Sequence, residues 1–171
     1  MRRKITLVAL LLACICILGA AQPGTSFKSG SAIVSKSTPS PKLTANDSIY
    51  INSSKAILTN YKTDLLYSMK VLKDFESKNI TGMDALSATT SLYILTSINS
   101  NALSMLKPPA EYKKYHGYLK NAVANLMLME WNLAKLYETN NVRYLNMSQA
   151  EANLSVSYYN ETMKELGNIT T

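Results

Sequence analysis

Residues 109–139 read PAEYKKYHGYLKNAVANLMLMEWNLAKLYET, and this stretch decides the fold of the chain. Apolar residues recur along it at alternating steps of four and three, at Tyr115, Leu119, Ala122, Leu126, Met129, Leu133 and Leu136. That heptad spacing predicts one long amphipathic helix, because residues three or four apart share a helix face. Pro109 suits its first position, where a missing N–H costs nothing. Asn140-Asn141 marks the turn after it.

Two further helices are predicted before this one, over 48–78 and 82–106. The first has an apolar face of Leu58, Tyr61, Leu65, Leu72 and Phe75, with Ser54 and Ser68 in the gaps. The second begins at a capping box, in which Thr81 and Asp84 satisfy each other's backbone N–H groups. Its apolar residues are Leu92, Leu95, Ala102 and Leu106. Its many Ser and Thr residues lower its intrinsic helix propensity, so we expect it to depend on its neighbours.

A fourth helix is predicted over 146–166, with Ser148 and Glu151 as its capping box and Gly167 as its stop. Amphipathic helices joined by short loops are typical of bundles. The predicted fold class is therefore all-α, an up-and-down four-helix bundle over residues 47–171. The main alternative to this prediction is one continuous helix through residues 140–147 in place of a turn.

The N-terminal residues 1–21 have the pattern of an export signal. Three basic residues precede an apolar run from Ile5 to Ala21, and small residues close the run at 19–21. Three fates remain open for this segment. It can be cleaved before Gln22, it can stay as a membrane anchor, or it can be lipidated at Cys14, since Leu11 to Cys14 resembles a lipobox. Both cysteines of the chain, Cys14 and Cys16, lie here, so no disulfide is expected in the domain.

Residues 22–46 are rich in Ser, Thr, Pro, Gly and Lys, and this composition predicts a disordered linker. The charge is concentrated near the N-terminus. The whole chain carries +7, but residues 47–171 hold 12 basic and 11 acidic side chains, a net charge of +1. A domain that reads nucleic acid would concentrate positive charge on its own surface, so nucleic acid is not an expected partner.

Seven Asn-X-Ser/Thr triplets are glycosylation candidates, at Asn46, Asn52, Asn79, Asn146, Asn153, Asn160 and Asn168. Three of them, at 146, 153 and 160, are seven residues apart and so drift only about 20° per step around a helix. They are expected to point away from the apolar face of the last helix. No triplet occurs between Asn79 and Asn146, so we expect a carbohydrate-free side that faces a partner or a second copy.

The sequence offers no catalytic pattern. One histidine, His116, has no cysteine or carboxylate cluster at a spacing that would bind zinc. No nucleophile motif, phosphate loop or paired-carboxylate signature is present, and the eleven acids look like solvated helix faces. Most of the tyrosines are expected at core edges with the hydroxyl in water. His116 and Tyr118 are the candidates for an interface. No cofactor, metal or catalytic residue is predicted.

The stretch Leu106-Lys107-Pro108-Pro109-Ala110-Glu111-Tyr112, followed by His116, resembles the start of a helix in uncharacterised exported helical-bundle proteins of bacteria and archaea. In those proteins a Pro-Pro, an acid and a His open a long amphipathic helix. The resemblance covers about a dozen residues and the general layout, and it implies no activity.

These observations predict an exported, non-enzymatic bundle that is secreted or attached to the outer face of a membrane. Its role is expected to be interaction or structure, with a protein or cell-envelope partner, or with a second copy as a homo-oligomer. Membrane contact is expected through the N-terminus if the leader is retained or lipidated. Two alternatives stay open: a bundle that binds a small ligand or cofactor, and an inhibitor or regulator of a secreted enzyme.

Overall fold

The computed structural model describes residues 44–170, and within that range the chain is all-α, as predicted. Helix α1 spans Ala45–Glu76, α2 spans Gly82–Met105, α3 spans Lys113–Thr139 and α4 spans Val142–Thr170. A 3-10 turn at Ala110–Tyr112 leads into α3, and these 127 positions contain no strand. The expected leader at 1–21 and almost all of the expected linker at 22–46 lie outside the described residues. None of the four helices is long and apolar enough to span a membrane.

Two capping boxes fix the starts of α1 and α2. Thr44 accepts a hydrogen bond from the Asp47 N–H at 3.2 Å, and the Asp47 carboxylate accepts from the Thr44 N–H at 2.9 Å. This box starts α1 at Ala45, so the last two residues of the expected linker are helical. The predicted box of Thr81 and Asp84 is confirmed, with both bonds at 3.1 Å. In each case the box satisfies N–H groups that have no partner inside the helix.

The last helix begins four residues earlier than the sequence predicts, and its predicted cap and stop are both wrong. Asn140 takes the left-handed conformation, with φ 52°, and ends α3, while the Asn141 side chain accepts from the Arg143 N–H at 3.0 Å. Ser148 is buried inside α4. The helix also continues past Gly167 to Thr170, because one exposed glycine costs only about 1 kcal/mol in a helix held by its neighbours.

Helix α2 is rotated relative to the predicted apolar face. Its buried residues are Ala85, Thr89, Leu92, Thr96 and Leu103. Leu95 and Ala102, two of the residues predicted to face the core, are exposed. Two buried threonines replace them, because the side chains that α2 meets from α1 and α3 are partly polar. A prediction that treats Ser and Thr as solvent-facing therefore assigns the wrong side of α2 to the core.

Helix α3 is the centre of the domain and packs against each of the other three helices. Its apolar heptad is buried as predicted, with Leu119, Ala122, Leu126 and Leu133 at 0–1 % exposure. Side-chain pairs give the directions of the helices. α3 and α4 are antiparallel, since Tyr118 meets Tyr158 while the carbonyl of Ala122 meets Ser155. α1 and α3 are parallel, with ring contacts at one end between Tyr50 and Tyr112 and at the other between Phe75 and Tyr137.

Candidate functional site

Two carboxyl groups lie inside the bundle, where the sequence predicts solvated acids. Glu130 of α3 is 0 % exposed and Asp64 of α1 is 8 % exposed. The hydroxyl of Ser68, one turn after Asp64, donates to Glu130 Oε1 at 3.2 Å. Thr96 of α2, also buried, lies beside both carboxyls. We call these four residues the acid cluster. Three helices contribute to it, so it ties α1, α2 and α3 together at one level of the core.

The surroundings of the acid cluster favour a protonated carboxyl over two ionised carboxylates. The pKa of Glu130 is raised from 4.5 to about 8, mainly by desolvation and to a smaller extent by the nearby Asp64, while the Thr96 and Ser68 hydroxyls oppose the change. Desolvation also raises the pKa of Asp64. Asp64 Oδ2, Glu130 Oε2 and Thr96 Oγ1 make no hydrogen bond of ordinary geometry. A proton held by Glu130 at neutral pH removes the net charge that such a site tolerates least.

The chemistry available to the acid cluster is narrow. A substrate in solution cannot reach Glu130, since that side chain is fully enclosed. In the described part of the chain, no three His, Cys, Asp or Glu residues come together as a metal site. The cluster can store a proton and link core stability to pH, and it offers no exposed general acid or base.

Sequence reasoning missed the acid cluster, although one signal for it was present. Asp64 lies midway between Ile57 and Val71, seven residues from each, and all three are buried. Glu130 lies in the same way between Val123 and Tyr137. An acid with apolar residues seven positions before and after it shares a helix face with them, because residues seven apart lie on nearly the same side of a helix. That position predicts burial of the acid better than its own hydropathy predicts exposure.

His116 and Tyr118, the predicted interface residues, lie on opposite flanks of α3. The hydroxyl of Tyr50, from α1, is 3.3 Å from His116 Nδ1, and the two rings are 5.8 Å apart. Burial lowers the pKa of His116, and Lys120 lowers it further, which favours a neutral imidazole. Tyr118 instead faces α4, with its ring 6.5 Å from that of Tyr158. The structure does not bring His116 and Tyr118 onto one surface.

The tyrosines are more deeply buried than the sequence predicts. Six of them are buried, at Tyr50, Tyr61, Tyr112, Tyr115, Tyr137 and Tyr159. The hydroxyl of Tyr61 has a buried partner, whereas those of Tyr115 and Tyr137 make no hydrogen bond of ordinary geometry. Ser155 donates its one hydroxyl proton to the carbonyl of Ala122 at 2.8 Å, so Tyr61, whose oxygen is 2.8 Å from Ser155 Oγ, donates to Ser155. The Tyr61 ring also stacks on Tyr159 at 5.2 Å. These contacts join α1, α3 and α4.

The candidate glycosylation residues lie on the outside of the domain. Six of the seven asparagines are exposed, and Asn160 is half-buried. In the three triplets spaced by seven, the hydroxyl residue points inward instead. Ser148, Ser155 and Thr162 are buried, and Ser155 and Thr162 donate to carbonyl groups of α3 and α4 respectively. Packing therefore accounts for the hydroxyl half of these triplets, while Asn146 and Asn153 are exposed and Asn160 is half-buried.

The outer side of α2 carries four large apolar side chains that are more than half exposed. Met83, Ile94, Ile98 and Met105 are 74, 53, 58 and 81 % exposed. At 100° per residue these four side chains fall within about 60° of one another around the helix, and we call them the α2 stripe. Asp84 is the only charged residue among the 24 of α2. Surface helices of soluble domains ordinarily carry mixed charges on this side.

The chain was compared with protein-family models, with curated proteins and with solved structures, and none of the three comparisons found a match.

Proposed function

We propose that this protein is an exported, cell-surface helical bundle that binds a protein partner through the outer side of α2 and catalyses no reaction. The α2 stripe carries the proposal. Its residues lie in the interval from 80 to 145, where no glycosylation triplet occurs, and the asparagines of the seven triplets lie on α1, on α4 and in the loop before α2. A glycan on any of those asparagines would leave α2 accessible.

The energetics favour a role for the α2 stripe in binding. Burying an Ile or Met side chain from full exposure contributes about 1.5–3 kcal/mol. Ile94 and Ile98 are each a little over half exposed, so covering them contributes roughly 1 kcal/mol each, and the more exposed Met83 and Met105 contribute more. Large apolar side chains exposed along one side of a helix, with neutral polar residues between them, are a feature of interaction surfaces.

The remaining parts of the proposal fit this role. The basic and apolar residues of 1–21 would direct export, and residues 22–43 would space the domain from a membrane if the leader is kept. The antiparallel packing of α3 on α4 and the parallel run of α1 and α3 support an up-and-down bundle. The burial of Asp64 and Glu130 supports a non-enzymatic role, because those carboxyls cannot reach a substrate. Intact mass spectrometry of natively purified protein would report cleavage, lipid on Cys14 and glycans together.

A photo-crosslinking experiment in the native host tests the binding surface. A benzophenone amino acid replaces Ile98 of α2 in one variant and Leu154 of α4 in a matched control, since the two side chains are exposed to a similar degree. We expect a covalent adduct from position 98 that position 154 does not give. Equal labelling at both positions, or no adduct at position 98, would contradict the proposal.

A further inference from the structure

We infer that the partner of the α2 stripe is a second copy of this chain, with the two α2 helices packed antiparallel about a two-fold axis near Ile94. This inference rests on the proposed function, because it names the occupant of the same surface. It is carried by three properties of α2: the symmetry of the stripe along the helix, the near absence of charge, and the area that the helix offers.

Two of the four stripe residues, Met83 and Met105, are placed symmetrically about a third, Ile94. Met83 and Met105 each lie eleven residues from Ile94, a spacing of three turns that drifts only about 20° around the helix. Reversing the helix about Ile94 therefore brings Met83 of one copy opposite Met105 of the other. The same operation pairs Ile94 with itself and Ser87 with Asn101, while Ile98 lies opposite Thr90 and has no apolar counterpart. A two-fold interface requires such self-complementarity, because one surface must serve both partners.

The near absence of charge on α2 favours a second copy of the chain as the partner. Asp84 is the single charged residue of α2, and its carboxylate is already engaged by Thr81 in the capping box. Exposed positions beside the stripe are Ser87, Thr90, Ser91 and Asn101, which are neutral. A basic or acidic partner would find no opposite charge here to steer it. Two copies meet without like-charge repulsion, and Ile94, Met83 and Met105 of one copy each meet an apolar residue of the other.

The area points to a weak dimer. Helix α2 has 24 residues and is about 36 Å long, and one antiparallel helix pair of that length falls in the smaller class of protein interfaces. We therefore expect a reversible dimer that dissociates on dilution rather than an obligate dimer. If the leader holds both copies on one membrane, the raised local concentration would compensate for that weakness.

Sedimentation of the full purified chain from 5 µM to 1 mM tests the inference. Ile98→Glu places a charge in the stripe one turn from the proposed axis at Ile94, and Leu154→Glu is the matched control on α4. Both variants keep the N-terminal apolar segment, so any association through that segment is common to both and cannot cause a difference between them. We expect a concentration-dependent dimer in the wild type and in Leu154→Glu, and at least a tenfold larger dissociation constant in Ile98→Glu. Circular dichroism must show that both variants remain helical.

A disulfide test keeps the inference falsifiable if Ile98→Glu fails to fold. With Cys14 and Cys16 replaced by serine, Ile94→Cys is expected to form a dimer on mild oxidation, because residues on the axis come within disulfide reach. Leu154→Cys should form far less. A wild-type chain that stays monomeric to 1 mM, or equal oxidation of the two variants, would overturn the dimer. An adduct of another mass from the crosslinker at position 98 would also overturn it, and would leave the proposed function standing.

Discussion

Replacing Glu130 with glutamine should stabilise the domain at alkaline pH and leave it nearly unchanged at acidic pH. Folding raises the pKa of Glu130 from 4.5 to about 8. The folded state therefore holds a proton that the unfolded state has released, and the free energy of unfolding falls as the pH rises from 4.5 towards 8. Below pH 4.5 Glu130 is protonated in both the folded and the unfolded state, so its burial does not lower the free energy of unfolding in this way.

The magnitude follows from the pKa difference. A difference of about 3.5 pKa units, at 1.36 kcal/mol each, corresponds to about 5 kcal/mol above pH 8. Relaxation that admits water to the carboxylate lowers this figure, so we expect the wild type to lose about 2–5 kcal/mol between pH 4.5 and 8.5. Glutamine has nearly the same shape, stays neutral, and can still accept the hydrogen bond that Ser68 donates to Glu130. A loss of this size is a large fraction of the stability of a single domain.

Urea unfolding at pH 5 and pH 8.5 measures the effect. At pH 8.5 we expect Glu130→Gln to be about 2–5 kcal/mol more stable than the wild type, and at pH 5 the two should agree within about 1 kcal/mol. Glu138→Gln is the control, since Glu138 lies exposed on the same helix beside Lys135. It should change stability by less than about 0.5 kcal/mol at either pH. The reasoning is refuted if Glu130→Gln is less stable than the wild type at pH 8.5.

Three further predictions concern packing, hydrogen bonding and modification. Leu126→Ala should cost about 2–5 kcal/mol in urea unfolding because Leu126 is fully buried, whereas the half-exposed Leu128→Ala should cost less than about 1 kcal/mol; similar losses would argue against the burial described for α3. In unglycosylated recombinant protein, Ser155→Ala should cost about 1–3 kcal/mol, since it leaves the buried Tyr61 hydroxyl without its acceptor; a neutral result would mean that the hydrogen bond from Tyr61 to Ser155 does not form. In protein from the native host, Asn153→Gln should increase electrophoretic mobility, and an unchanged band would show that this triplet carries no glycan.

The sequence determined the helical architecture of the domain because its strongest signals are local. The heptad of α3 places Leu119, Leu126 and Leu133 on one face whatever they pack against, and all three are buried. The capping box of Thr81 and Asp84 depends on residues three apart and needs no distant partner. The predicted start of α4 was wrong because the helix is capped by Asn141, whose side chain accepts from the Arg143 N–H. The pair of Ser148 and Glu151, which has the more typical capping sequence, lies inside the helix.

Only the tertiary structure decided which polar residues lie inside. Asp64, Thr96 and Glu130 come from three helices, and no pattern within one helix shows that their side chains meet. The orientation of α2 was undetermined for the same reason: its helical period admits several faces, and the neighbours from α1 and α3 select Thr89 and Thr96 for burial. That selection leaves Ile94 and Ile98 outside. Composition and period establish that α2 is a helix with little charge, but its exposed apolar stripe exists only because polar groups occupy the core.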